Sequence, residues 1–274
     1  MDVRFVDTTF RDGSQSLWAC GMRTGMIDVV AEDMDQAGFN VIETPVLGVV
    51  AKKMVRDLKE DFWEMVRIVA RRMPRTPKST MCGNYILPFE FFDPPAIVEL
   101  YHARLAEIGA LNRAQTTCNT LDQIEVAFHW TIPMFRRLGL QVVIGISYTV
   151  SPRHTDEYYA QKTRTILQFK PDVIYLKDQG GLLTVDRLRT LLPVIVQNAN
   201  GVPVELHSHC TTGLADLVYL EALKLNPFYA DAHFYLAVTF EKMGLSQDAR
   251  PHWLGYQELA PHGEWVELAK EFSD

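Results

Sequence analysis

The sequence has no apolar run long enough to span a bilayer. Its longest apolar stretches, such as 141-QVVIGIS-147, have the length of a β-strand, whereas a transmembrane helix needs about 20 consecutive apolar residues. The N-terminus, MDVRFVDTTF, lacks the basic start and the apolar stretch of a signal peptide. We therefore expect a cytoplasmic protein without a membrane segment.

Cysteine and clustered basic charge are also scarce. The 274 residues include 4 cysteines, and their spacing matches neither a zinc knuckle nor a disulfide framework. The net charge is −7 and the basic residues are scattered, which argues against a nucleic-acid partner. The hydrophobic fraction of 47% is ordinary for a globular protein. We expect reduced thiols and a sizeable apolar core.

Strand-like apolar runs alternate with segments of helical periodicity. Such strict alternation predicts a parallel sheet with helical crossovers. Seven strands nearly fill a (β/α)8 TIM barrel, and no glycine-rich phosphate loop follows the first strand to favour a doubly wound sheet. The predicted strands are 3–9, 40–46, 78–84, 113–119, 141–149, 172–178 and 202–209, and the predicted helices are 23–38, 57–73, 95–109, 124–139, 155–169 and 184–199. Glycines 38, 109 and 139 are expected to end three of these helices.

The pattern changes after Lys224, where no further strand is predicted. Pro227 and Pro261 lie 34 residues apart, which is the tetratricopeptide period. With a repeat starting at Ala230, the positions that match its signature are Leu236, Ala237, Phe240, Gly244, Ala249 and Trp253, whereas Tyr256 stands where a small residue is usual. We predict an α/β barrel over residues 1–223 that stops after its seventh strand, then small tetratricopeptide-like helices over residues 224–274. Two ordinary packed helices are the alternative for the second part.

Three predicted strands end in residues that bind metals or anions. The first ends in 7-DTTFRDGSQS-16, the sixth in 175-YLKDQGGLL-183, and the seventh in 205-ELHSHCTT-212. In a parallel barrel the functional face lies at these strand ends, and His207 and His209 point to the same side of their strand. With Asp12 they form a donor set that suits zinc, manganese or cobalt. Each motif alone has an ordinary structural alternative, such as a turn aspartate, but three strands agree.

These three motifs identify a resemblance. "DTTFRDGSQS", "LKDQGGLLT" and "HSHCTTGLA" resemble the metal-dependent carboxyltransferase domains of pyruvate carboxylase, oxaloacetate decarboxylase alpha chains and transcarboxylase. The resemblance covers roughly residues 1–223 and extends to a superfamily that includes lyases and acyltransferases. It implies a carboxyltransferase or decarboxylase that acts on a 2-oxo acid such as pyruvate or oxaloacetate through a metal-stabilised enolate.

The resemblance also implies roles for single residues. Asp12, His207 and His209 would bind the metal, and Lys177 would be carbamoylated and act as both the fourth ligand and a catalytic group. Arg11 and Gln15 would bind the 2-oxo acid and take part in catalysis. The expected cofactor is divalent zinc, manganese or cobalt. The expected partners are the substrate, a further copy of the chain in a homo-oligomer and, if biotin is used, a separate biotin carrier protein.

Several features of that family are missing here. Cys82 stands where a substrate-binding arginine is usual, and 113-RAQTTCN-119 lacks an aspartate found on the fourth strand. The sequence contains no "AMKM" biotin-attachment motif. An eighth strand and a following helical domain are not evident. A natural fusion with a degenerate barrel, a recombined gene prediction and a constructed chimera all fit this junction.

Two other functions are consistent with the same residues. One is a metal-dependent aldolase, lyase or acyltransferase of the same superfamily, although Lys177 argues against it. The other is an inactive barrel scaffold whose C-terminal repeat binds a partner protein. Because one repeat offers a thin binding surface, we expect the repeat to cap the barrel instead.

Overall fold

A curved sheet of seven parallel strands forms the centre of the fold. The computed structural model describes residues 4–82, 94–118, 120–213, 217, 218, 221, 230–242, 244–263 and 265–273. The strands follow one another in the order β1-β2-β3-β4-β5-β6-β7. They are β1 (Val6–Asp7), β2 (Val41–Glu43), β3 (Lys78–Met81), β4 (Arg113–Cys118), β5 (Gln141–Ser147), β6 (Val173–Asp178) and β7 (Val204–Ser208). The prediction of a TIM-type barrel that stops after its seventh strand is confirmed.

Helices connect the strands, as the alternating sequence predicted. They are α1 (Ser14–Trp18), α2 (Thr24–Gln36), α3 (Gly48–Lys53), α4 (Phe62–Arg72), α5 (Pro95–Ile108), α6 (Leu121–Arg137), α7 (Asp156–Leu167) and α8 (Val185–Asn198). Two π-helical turns, Thr9–Gly13 and Met54–Leu58, lie in the loops after β1 and β2.

Polar residues define where several helices begin and end. The side chains of Thr155 and Thr184 accept hydrogen bonds from the backbone N–H groups of Tyr158 and Arg187 at the starts of α7 and α8, which satisfies otherwise unpaired donors. Gly109 follows α5 with a φ of 84°, a left-handed conformation that favours glycine. The predicted helix stop at this position is therefore confirmed.

Several predicted elements are shorter than expected. The second strand was predicted over residues 40–46 but spans Val41–Glu43. The first strand was predicted over residues 3–9 but is described only at Val6–Asp7, because the π-helical turn begins at Thr9. The helix predicted over residues 57–73 begins at Phe62. Lys59 has a φ of 59°, a left-handed conformation that ends the preceding helical turn. The Asp61 side chain then accepts a hydrogen bond from the Trp63 N–H at the start of α4.

The two faces of the sheet differ in character. The outer face packs against the helices and contributes Ile42, Ala114, Val142, Ile144, Ile174 and Leu176 to the main apolar core. Because side chains alternate along a strand, the intervening residues face the barrel interior. There Val143, Val173 and Tyr175 form a small apolar cluster beside buried polar groups. This polar interior positions the functional site.

The C-terminal segment has an apolar core of its own. It consists of α9 (Ala230–Lys242), α10 (Ser246–Leu259) and α11 (Val266–Ser273). Its buried residues are Phe234, Ala237, Ala249, Trp253, Tyr256 and Ala269, none of which belongs to the main core as far as the structure describes it. Most residues predicted from the repeat signature therefore face one another. That the repeat caps the barrel stays a prediction, and the predicted 223/224 boundary itself lies outside the described residues.

Tyr256 stands where the repeat signature has a small residue, and its side chain is part of the apolar core of the C-terminal helices. Its ring lies 5.4 Å from that of Phe234. Its hydroxyl accepts a hydrogen bond of 3.2 Å from the Trp265 N–H, just before α11. The larger side chain thus connects the helix pair to the third helix.

Two properties of the described residues bear on membrane insertion and disulfide pairing. Within them, no helix combines the length and the apolarity that crossing a membrane would require. In the same part of the chain, Cys20, Cys82 and Cys210 form no disulfide bond.

Candidate metal centre

Three predicted metal ligands converge at the C-terminal end of the sheet. Asp12 lies in the π-helical turn after β1, His207 lies on β7, and His209 follows that strand directly. Asp12 Oδ2 is 3.0 Å from His207 Nε2 and 3.2 Å from His209 Nε2. One ligand atom from each residue lies within 4.8 Å of the other two. The structure thus joins the two ends of the sheet at one point.

This spacing suits a tetrahedral divalent cation. Zinc binds imidazole nitrogen and carboxylate oxygen at about 2.0–2.2 Å, so two ligands in a tetrahedral shell lie about 3.4 Å apart. The two distances from Asp12 are slightly shorter than this. A carboxylate with two imidazoles is a donor set for zinc, manganese or cobalt. The residues present therefore fit the metal that the sequence motifs implied.

Lys177 lies beside this cluster on the neighbouring strand. It pairs in register with His207, and its side chain faces the same interior. Lys177 Nζ is 3.5 Å from His207 Nε2 and 3.6 Å from Asp12 Oδ2. Burial, together with the positive charge of Arg11, lowers the pKa of the Lys177 ammonium, although Asp12 and Glu43 oppose the shift. The structure therefore brings all four predicted metal-site residues together.

Asp12 is held as a carboxylate despite its burial. Removing it from water disfavours its charged form. Hydrogen bonds from His207 and His209, with the charges of Arg11 and Lys177, outweigh that cost and keep the pKa of the Asp12 carboxyl well below its usual range. An ionised carboxylate is the form that coordinates a metal.

Arg11 is fixed by two residues that sequence reasoning missed. Its Nε donates to Glu43 Oε2 over 2.7 Å, and its Nη2 contacts the same oxygen as well as Asp12. Glu43 in turn accepts a hydrogen bond from Gln115 Nε2, which also donates to Ser79 Oγ. Arg11 and Glu43 are each only 2% exposed. Glu43 and Gln115 thus hold the arginine next to the predicted metal ligands.

A sequence signal for Glu43 and Gln115 did exist. Glu43 is the charged residue in the otherwise uncharged run 41-VIETPV-46, and Gln115 lies near the middle of a predicted strand. Polar side chains inside strands that are buried on both faces need partners. Their partners, however, come from different strands, so the pairing could not be derived from spacing.

Gln15, the second predicted substrate contact, and Cys82, which stands where a substrate-binding arginine is usual, differ in their surroundings. Gln15 lies on α1 and is exposed, so the structure does not place it against the metal ligands. Cys82 is 2% exposed, and its thiol donates to the Thr80 carbonyl oxygen over 3.4 Å. That position therefore holds a small buried thiol and no cation.

Asp178 shapes the loop beside the site. Its carboxylate accepts hydrogen bonds from the N–H groups of Leu182 and Leu183 and from the Ser208 hydroxyl, at 2.8–3.0 Å. It does not pair with Lys177, because consecutive side chains on a strand point to opposite faces. Gly181 lies in this loop with a φ of 61°, and a Cβ there would come within 2.5 Å of the His209 carbonyl oxygen. The glycine thus lets the loop pack directly against the histidine segment.

The chain is similar in sequence to known carboxylase subunits. It is 33% identical over 247 residues to the pyruvate carboxylase B subunit of Methanocaldococcus jannaschii, an alignment that covers 89% of this chain and 42% of that protein. It is 26% identical to the methylmalonyl-CoA carboxyltransferase 5S subunit of Propionibacterium freudenreichii subsp. shermanii, over 81% of this chain and 44% of that protein. The chain therefore spans less than half the length of these relatives.

Solved structures show the same fold. The carboxyl transferase domain of Rhizobium etli pyruvate carboxylase, in a structure with oxamate and biotin, matches with a TM-score of 0.74 and 24% identity. The match covers 81% of this chain and 38% of that chain. Residues 218–250 match the tetratricopeptide repeat family. The chain is thus similar in sequence to pyruvate carboxylase B subunits, has the fold of a carboxyl transferase domain, and carries a segment that matches a tetratricopeptide repeat.

Proposed function

We propose that the protein is a metal-dependent carboxyltransferase or decarboxylase that acts on a 2-oxo acid such as pyruvate or oxaloacetate. The observation that carries this proposal is the convergence of Asp12, His207 and His209 next to the buried Lys177. The known activities of the homologues support it, although the chain spans less than half of them. The aldolase, lyase and acyltransferase alternatives are not favoured by any of these relatives.

A divalent zinc, manganese or cobalt ion at this site would polarise the keto oxygen of the substrate and stabilise the negative charge of its enolate. Asp12, His207 and His209 would hold the ion. Lys177 would be the fourth ligand as its carbamate, which forms when the neutral amine adds to CO2 and releases a proton. The burial of Lys177 supports this role. Because its amine lies beside Asp12, the oxygen atoms of its carbamate would lie close to the proposed metal ligands.

Arg11 and Gln15 would bind the 2-oxo acid. Two of the three guanidinium nitrogens of Arg11 contact Glu43, and among the described residues no partner contacts its Nη1. That nitrogen is available for a substrate oxygen next to the metal, where a fixed positive charge would stabilise developing negative charge. Gln15 is exposed on α1 and would reach the substrate from the outer side of the site.

The partners follow from this chemistry. A carboxyl group would arrive on, or leave with, a biotin carrier, and we propose that this carrier is a separate protein. The barrel of residues 1–223 would carry the reaction, and residues 224–274 would form the repeat-like segment. We further propose a cytoplasmic homo-oligomer.

The test is oxaloacetate decarboxylation by the purified chain loaded with zinc or manganese in the presence of bicarbonate. Asp12→Ala should abolish the activity, since it removes the carboxylate that contacts both histidines. Asp186→Ala is the matched control, because its side chain is 92% exposed and lies outside the site. Equal rates for the wild-type chain and the Asp12→Ala variant would rule out the proposed function.

Carbamoylation has an independent readout. With ¹³C-labelled bicarbonate, the wild-type chain should show a carbamate carbon signal that Lys177→Gln lacks. A signal that survives Lys177→Gln would belong to another amine, and the role proposed for Lys177 would then be abandoned.

A further inference from the structure

β7, the strand that carries His207, lies at the end of the sheet. Among the described strands it is hydrogen-bonded to β6 alone, and its other edge faces the position that an eighth strand occupies in a closed barrel. An end strand has half the backbone hydrogen bonds of an internal strand and is held less firmly. Since metal ligands must be kept in place to bind tightly, the position of β7 needs support from another source.

An ion pair with a buried arginine crosses the barrel interior and ends on this strand. Arg113, the first residue of β4, donates from Nη1 to Glu205 Oε1 over 2.8 Å, and from Nη2 to Glu205 Oε2. Two parallel bonds of this kind fix the orientation of both side chains. The Arg113 side chain is 2% exposed, whereas that of Glu205 is 30% exposed. β5 and β6 lie between the two strands in the sheet, so the bridge runs through the interior and not along the sheet surface.

Glu205 is closely coupled to the histidines. It precedes His207 by two residues and His209 by four, so all three side chains face the interior. Glu205 also pairs in register with Tyr175 on β6, whose ring packs edge-on to His207 at 6.5 Å between centroids. A displacement of Glu205 would therefore shift both histidines relative to Asp12, which is anchored at the other end of the sheet.

We propose that Arg113 and Glu205 are positioning residues that hold the histidine-bearing strand against the opposite wall of this seven-stranded barrel. They replace part of the support that an eighth strand gives in a closed barrel. The bridge touches neither metal nor substrate and acts on the site through His207 and His209. This inference rests on the proposed metal centre.

The first test measures metal affinity and stability side by side. Zinc dissociation constants are measured by competition with a chromophoric chelator, and melting temperatures are measured on the metal-free protein. Glu205→Gln and Arg113→Met should each weaken zinc binding by about 10–100-fold, the usual effect of losing a group that orients a metal ligand. Arg113→Lys retains the charge but not the paired geometry, and should lie between wild type and Arg113→Met.

Matched controls come from a second arginine–glutamate pair. Arg189 Nε donates to Glu221 Oε1 over 2.7 Å, outside the strands of the sheet and with a 52% exposed arginine. Arg189→Met and Glu221→Gln make the same chemical changes and should leave zinc affinity within twofold of wild type. Zinc affinity that stays at the wild-type value in the Glu205 and Arg113 variants, even with a lower melting temperature, would show that the bridge is merely structural and overturn the proposal.

Two further measurements separate this inference from the proposed function. In cobalt-loaded protein, the visible d–d absorption should change in Arg113→Lys, because the ligand geometry changes while metal is still bound. In the metal-free protein, deuterium uptake should rise in peptides covering residues 202–213 of Glu205→Gln, but not in peptides from β5. Unchanged uptake there would refute the anchoring of β7 whether or not the chain binds metal. Wild-type protein that binds no metal would instead remove the proposed function.

Discussion

The buried ion pair between Arg11 and Glu43 should contribute far more to stability than an exposed pair of the same chemistry. Both side chains are 2% exposed, and the guanidinium contacts the carboxylate through two nitrogens. Replacing Glu43 by glutamine leaves the Arg11 charge buried, and Asp12 is then its one ionised contact among the described residues. Removing one partner of a buried pair costs about 3–5 kcal/mol. We therefore expect Glu43→Gln to lower the free energy of unfolding by roughly that amount.

The chain offers an internal comparison for this prediction. Arg137 donates two hydrogen bonds from Nη2 to the Glu99 carboxylate, and the two side chains are 58% and 39% exposed. Solvent screens such a pair, so Glu99→Gln should cost less than about 1 kcal/mol.

Thermal unfolding followed by circular dichroism measures both effects in metal-free protein. The Glu43→Gln variant should melt roughly 6–20 °C below wild type, from about 2–4 °C for each kcal/mol in a protein of this size. Glu99→Gln should stay within about 4 °C of wild type. Equal shifts for the two variants would contradict the argument from burial.

Three further predictions concern packing and pH. Gly145→Ala should lower the free energy of unfolding by about 1–3 kcal/mol through overpacking, because the added Cβ would lie 2.5 Å from side chains on both neighbouring strands. Gly25→Ala adds a Cβ that meets open space and should leave stability unchanged or raise it. Urea titrations measure both effects. Burial lowers the pKa of His102, so the folded state disfavours its protonated form. Stability should therefore fall as the pH drops below about 6.5. His102→Leu should reduce that pH dependence, whereas His262→Gln, at an exposed position, should not. Trp253→Ala should abolish protection from hydrogen–deuterium exchange across residues 230–273 but not in the barrel strands, since Trp253 belongs to a separate apolar cluster. Loss of protection in both parts would show that they unfold together.

The order of elements in the barrel could be predicted from the sequence because periodicity is a local property. Strands β4 to β6 are apolar runs between helices with clear caps and glycine stops, and all three appear where they were expected. The first strand and the second crossover were less accurate, since a π-helical turn after β1 and a left-handed Lys59 leave no periodic signal.

The candidate site was predictable to the extent that its residues lie at strand ends. Asp12, Lys177, His207 and His209 were placed together by the rule that parallel strands share one functional edge. Glu43 and Gln115 were not found, because their importance depends on which inward-facing side chains meet across the interior. The cross-barrel pair of Arg113 and Glu205 was missed for the same reason.

The C-terminal segment shows a similar division between pattern and context. A period of 34 residues was enough to predict the helix pair, and the family match to residues 218–250 supports it. Tyr256 looked like a departure from the repeat, yet it is 1% exposed and its hydroxyl supports the start of α11. Sequence spacing could not reveal this role, which requires the third helix.

The metal content of the purified chain tests the central claim most directly. Elemental analysis of the wild-type protein should find close to one divalent transition metal per chain, and the Asp12→Ala/His207→Ala double variant should contain none. This result would show that the ends of β1 and β7 form a working metal centre in a seven-stranded barrel. A wild-type chain that binds no metal after loading with zinc or manganese and bicarbonate would contradict the account.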